Sequence, residues 1–162
     1  MFAKNDVASH PRRLPGGTIV ETRTRVPVQG TLRTLIVEDE LAGQRLMERL
    51  LSPYGKCDLA VDGKEAFFAF LLAWDNDDPY DLICLDIIVP EMDGQDVLQA
   101  IRTWERGKGI PTGQGVKIIM TTVLTDKENV LLAYTLGCEA YVFKPIDKTD
   151  LLDKIGGLGL IP

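Results

Sequence analysis

Leu82-Ile83-Cys84-Leu85-Asp86-Ile87-Ile88-Val89-Pro90-Glu91-Met92-Asp93-Gly94 is the stretch on which the fold turns. Four consecutive apolar residues, with no polar alternation, read as a strand buried on both faces, as in parallel sheets. The run ends on a carboxylate, after which Pro90 and Gly94 break the chain. One acid therefore stands at the C-terminal end of a strand, the edge where ligands collect in open α/β sheets. Other segments reach the same kind of edge. Leu35-Ile36-Val37 ends on Glu38-Asp39-Glu40, and Val116 to Met120 ends on Thr121-Thr122. Ala140-Tyr141-Val142-Phe143 delivers Lys144 and Pro145. Carboxylates, a hydroxyl and an ammonium at strand ends form a set suited to a divalent metal and a phosphoryl group.

Working outward, the pattern from Thr31 alternates strand and helix. Strands are expected near 33–38, 57–61, 80–85, 116–121 and 140–143. Helix 1 is expected over 41–51, with Ala42, Leu46 and Leu50 facing the sheet, and Ser52-Pro53 ending it. Helix 2 begins near Asp62-Gly63 and stops in the acidic turn 75–79. Helices 3, 4 and 5 are expected over 95–106, 127–136 and 149–155. Gly137 suits a left-handed helix end. Five alternations imply a single α/β domain, a doubly wound parallel sheet with right-handed crossovers. The flavodoxin-like (βα)5 order 2-1-3-4-5 puts its switch point between strands 1 and 3, where Glu38-Asp39 and Asp86 meet. The connection 107–115 is long for a helix-to-strand link and is expected to be mobile.

The chain has 162 residues, of which 45% are hydrophobic and 26% charged, which fits one globular domain. No apolar run is long enough for a membrane span, and the N-terminus lacks the apolar core of a secretory signal. Cys57, Cys84 and Cys138 lie in apolar surroundings without a Cys-x-x-Cys pair, so they read as core residues in a reducing cytoplasm. Residues 1–30 are rich in Pro and Gly and read as an irregular extension, in which Thr18 to Val26 alternates like an edge strand. Lys4, Arg12, Arg13, Arg23 and Arg25 against Asp6 and Glu21 leave that segment at +3, so residues 31–162 carry −9 of the overall −6. Such an acidic domain is a poor match for nucleic acid.

The acids, the Thr121-Thr122 pair, Tyr141 and the Lys144-Pro145 pair, in this chain order, resemble the receiver domain of two-component response regulators, the CheY-like family. The resemblance runs over about residues 31–158. It implies that Asp86 is the phosphoacceptor, attacking a phosphohistidine on a sensor histidine kinase or a histidine phosphotransfer protein. It implies Mg²⁺ held by Asp39 and Asp86, by Glu38 through water, and by the backbone carbonyl of Ile88; hard oxygen ligands at a partly open site suit that ion. Lys144 and Thr122 are the implied catalytic partners of the phosphoryl group. Strand alternation turns Thr121 to the opposite face from Thr122. Thr122 and Tyr141 are the implied switch pair, and helix 4, strand 5 and helix 5 the implied output face. Lys144-Pro145 is implied to be cis.

This sequence also departs from the family. Glu38 stands where an aspartate is more usual, and Val123 where a small residue is. Ile88 and Leu124 flank the mouth as apolar groups where polar ones often orient water, which implies a slow loss of phosphate. Signalling through protein contact with an unknown downstream target is expected, with a homodimer through helices 4 and 5 left open. One rival is a pseudo-receiver that only binds partners. The other is a haloacid dehalogenase-type phosphatase, whose second acid two residues after the nucleophile is replaced here by Ile88. The expectation is a phosphoacceptor signalling protein, not an enzyme acting on other substrates.

Overall fold

A computed structural model describes residues 30–162. The expected extension and its edge strand, within residues 1–29, lie outside the described residues. In chain order the elements are β1 (Leu32–Val37), α1 (Leu41–Leu51), β2 (Gly55–Ala60), α2 (Gly63–Asp75), β3 (Leu82–Leu85), α3 (Gly94–Gly107), β4 (Lys117–Thr122), α4 (Lys127–Leu136), β5 (Ala140–Phe143) and α5 (Lys148–Gly157). The expected strands and helices are all present, with ends shifted by no more than two residues. All pairings are parallel, and the strand order is β2-β1-β3-β4-β5.

Side-chain alternation along the strands divides the core between two faces. Leu82 and Cys84 of β3 join Met47 and Leu51 of α1 and Leu151 and Ile155 of α5. Ile83 and Leu85 join Phe70 of α2, Leu98 and Ile101 of α3, and Ala133 of α4. Each large side chain buried in this way contributes about 1.5–3 kcal/mol. Phe70 also meets Trp104 edge-on with ring centroids 5.2 Å apart. Among the described residues no helix is long and apolar enough to cross a membrane. The three cysteines are free thiols, Cys84 and Cys138 buried and Cys57 half-buried. Burial pushes the Cys57 thiol up to about 11 and that of Cys138 to about 12.

One face was misassigned by the sequence pattern. Helix α1 buries Gln44, Met47 and Leu51, while Ala42 and Leu46 are exposed and Leu50 is half-buried. The apolar rhythm was followed, but a glutamine takes the inward position because its Nε2 donates to the Glu38 carbonyl at 2.7 Å. A satisfied amide can be buried at little cost.

Helix ends follow simple chemistry. Asp62, Asp93, Asp126 and Asp147 cap α2, α3, α4 and α5, each accepting from the backbone N–H three residues on. Such caps contribute about 1 kcal/mol apiece. Gly137 ends α4 with φ 102°, the left-handed conformation expected of it. Of the α-helices among the described residues, α1 alone starts without a side-chain cap, at Glu40. The 107–115 connection is tied at both ends: Ile110 is buried and its N–H donates to the Glu105 carbonyl, and Val116 N donates to the Glu105 carboxylate at 2.8 Å.

Candidate functional site

Asp86 leaves β3 at the switch point, its N–H donating to the Val37 carbonyl of β1 at 3.2 Å. Its carboxylate is 5% exposed as a residue and engaged at both oxygens. Ile88 N donates to Oδ1 at 3.1 Å, and Lys144 Nζ donates to Oδ2 at 2.6 Å. The loop that follows is gripped on two sides. A side chain on Gly94 would place its first carbon 2.2 Å from the Asp86 carbonyl oxygen, and one on Gly63 would stand 1.8 Å from that of Met92. Gly63 N also donates to the Pro90 carbonyl at 3.1 Å. Glycine at these two positions lets the backbones of α2, α3 and the loop close upon one another.

Glu38 follows β1 and is 2% exposed. Its Oε1 accepts from Glu40 N at 3.1 Å, and its Oε2 pairs with Lys144 Nζ. Asp39, next in the chain, is exposed. Glu38, Asp39 and Asp86 each bring a carboxylate oxygen within 4.8 Å of the others. Lys144 reaches them because its backbone N–H donates to the Thr122 carbonyl at 2.9 Å, fixing the end of β5 against β4. Its peptide bond to Pro145 is cis. Burial acts to lower the Lys144 pKa, but hydrogen bonds to Asp86 and Glu38 outweigh it and hold the ammonium above its ordinary value.

Three acids against one ammonium leave the cluster short of positive charge. At the effective dielectric of a protein surface, unit charges this close interact by about 4 kcal/mol, so this cluster could hold a metal ion. All-oxygen donors at a site that is partly open, through exposed Asp39, match Mg²⁺. Glu40, the third acid of its run, is exposed and is not part of the cluster.

Around this group, Thr122 is fully buried and its Oγ1 accepts from Leu124 N at 3.3 Å. Thr121 is also buried but lines a cavity with Ile36, Met47 and Ile146, on the α1 side of the sheet. Tyr141 is buried, and its hydroxyl donates to the Leu124 carbonyl at 2.8 Å, bridging β5 to the chain just past β4. Burial pushes that phenol up to about 12. Ile88 and Val123 are 53% and 57% exposed, and Leu124 is half-buried. Sequence reasoning missed Gln44 and Gly43; a polar residue at an inward helical position and a glycine inside a helix were the available signals.

The sequence profile described as response regulator receiver domain matches residues 34–156. This chain belongs to that family. The receiver is 34% identical over 127 residues to the probable transcriptional regulator ycf27 of Cyanophora paradoxa, covering 78% of this chain and 47% of that protein. It is 26% identical over 160 residues to the chemotaxis protein CheY of Treponema pallidum, covering 98% of this chain and 99% of that one. It thus spans about half of one relative and nearly all of the other. Its fold is shared with CheY in a CheX–CheY–BeF₃–Mg²⁺ complex from Borrelia burgdorferi, with TM-score 0.69, 24% identity, and coverage of 80% of this chain and 90% of that one.

Proposed function

We propose that this receiver accepts a phosphoryl group onto Asp86 from a phosphohistidine of a sensor histidine kinase or histidine phosphotransfer protein. The observation that carries the reading is the bond from Lys144 to an Asp86 oxygen inside a three-acid cluster at the sheet's C-terminal edge. In the transfer, an Asp86 oxygen attacks phosphorus, the bond to the donor imidazole nitrogen breaks, and an acyl phosphate forms on the protein. Asp39 and Asp86, with the Ile88 carbonyl and with Glu38 through water, are the groups that would hold Mg²⁺. When bound, the ion neutralises the acids and the phosphoryl oxygens.

Lys144 supplies a second positive charge, already beside Asp86. Thr122 moves toward the phosphoryl group and donates its hydroxyl to one of its oxygens, shifting the oxygen that accepts from Leu124 N. Tyr141 senses that movement, because its hydroxyl holds the carbonyl of the same residue. The output face is α4, β5 and α5, where Leu131, Tyr134 and Phe143 are exposed, and a downstream protein is the partner it suits. The chain acts as a switch, without turning over an external substrate.

Incubation with acetyl phosphate and Mg²⁺ should add about 80 Da, the mass of a PO₃ group, with the adduct absent from Asp86→Asn. An unmodified wild-type protein would remove this reading. Exposed Ile88 and half-buried Leu124 offer attacking water no polar guide. Ile88→Asn combined with Leu124→Glu should speed phosphate loss by about tenfold, and unchanged decay would discard the slow-release proposal.

A further inference from the structure

Helix α1 keeps a glycine at position 43, in its first turn, where alanine is the better helix former. Space explains the choice. A first side-chain carbon on Gly43 would stand 2.8 Å from Glu38 Cδ and 2.9 Å from its Cγ. Glu38 has little freedom to yield while it keeps its partners. It is buried, with one oxygen held by Glu40 N and the other by Lys144. A cavity of about 170 Å³ beside it is bordered by Gly43, Met47, Thr121 and Lys144, so a displaced carboxylate has somewhere to go and the domain need not unfold.

We propose that Gly43 is a positioning residue for the phosphoacceptor edge: its missing side chain admits the Glu38 conformer that pairs with Lys144, and so fixes where that ammonium stands beside Asp86. Gly43 touches no reacting group itself. The inference rests on the reading of Asp86 as phosphoacceptor for its chemistry, but its geometry can be tested separately. An aspartate at position 38 is one methylene shorter and leaves the notch beside Gly43 empty, so the pair should behave as a unit.

The test places Gly43→Ala in the wild-type chain and in Glu38→Asp. Helix propensity alone predicts a higher melting temperature in both. The notch predicts a change of sign: a fall of about 2 °C in the wild type and a rise of similar size in Glu38→Asp. Labelling by acetyl phosphate should slow about fivefold in Gly43→Ala, while the double variant should match Glu38→Asp within about twofold. A rise in melting temperature in both backgrounds overturns the proposal, as does equal slowing of labelling in both. If the wild type takes no phosphoryl group, the phosphoacceptor reading falls. The melting temperatures then still decide whether Gly43 and Glu38 are coupled.

Discussion

The two ends of the sheet hold buried charge on opposite terms. At the N-terminal edge, Arg102 of α3 directs its guanidinium to the Gly137 and Val116 carbonyls and to the carboxylates of Glu105 and Glu139. Those acids in turn accept from Val116 N and Ile118 N. Burial keeps the Glu139 carboxyl above its ordinary value in spite of Arg102's charge. Within β1, Arg33 pairs with Asp58 and Asp78 and lies 4.7 Å over the Tyr80 ring, while the Tyr80 hydroxyl donates to Asp58. At the C-terminal edge, Glu38 and Asp86 share Lys144 with Asp39 close by, and the helix beginning among them lacks a side-chain cap. Each arginine at the N-terminal edge pairs directly with two acids, whereas at the C-terminal edge a single lysine stands among three. Locally unfavourable choices of this kind gather where a protein does chemistry.

The sharpest way to break this contrast is Arg102→Leu. It strands Glu105 and Glu139 without their cation and should cost about 3–5 kcal/mol of unfolding free energy in urea titrations. A loss below about 1 kcal/mol would show that the matched edge is not a stabilising network. Mg²⁺ should act at the other end. At about a hundred times its dissociation constant it should add about 2.7 kcal/mol to the wild type, and Asp39→Asn should lose most of that gain. An equal gain in both proteins would place the ion elsewhere.

The smallest effect concerns Asp58. Burial works to raise its pKa, but hydrogen bonds from Arg33 and Tyr80, and the charge of Arg33, leave it below the ordinary value. A folded-state pKa below the unfolded one means stability present above about pH 4 and lost as pH falls through the folded value. Asp58→Asn should therefore cost about 1 kcal/mol at pH 7, with the difference between the two proteins closing as pH falls through the lowered folded-state value. A constant difference across that range would mean that packing, not charge, sets the cost.

Residue order alone made some of this legible. The unbroken apolar run 82–85 located β3, and the acid after it marked the edge that also receives Glu38, Asp39 and Lys144. Strand alternation separated Thr122 from Thr121, and the cavity on the α1 side is bordered by Thr121. The inward face of α1 was not legible, because the amide of Gln44 is satisfied by a carbonyl of another element. Nor was the Arg102 network, whose partners lie up to 37 residues away and are chosen by topology, not by local spacing. The hydroxyl of Tyr141 finds its acceptor 17 residues back, a pairing that no periodicity encodes.

The tied loop before β4 has a practical use. Thr112 and Gly113 are exposed at the end of the sheet remote from Asp86, about 20 Å away by the length of a six-residue strand. Ile110 and Glu105 anchor the turns on either side. A fluorescent tag or affinity peptide grafted there would travel with the domain at the end of the sheet away from Asp86, a handle for following this receiver in single-molecule or pull-down work.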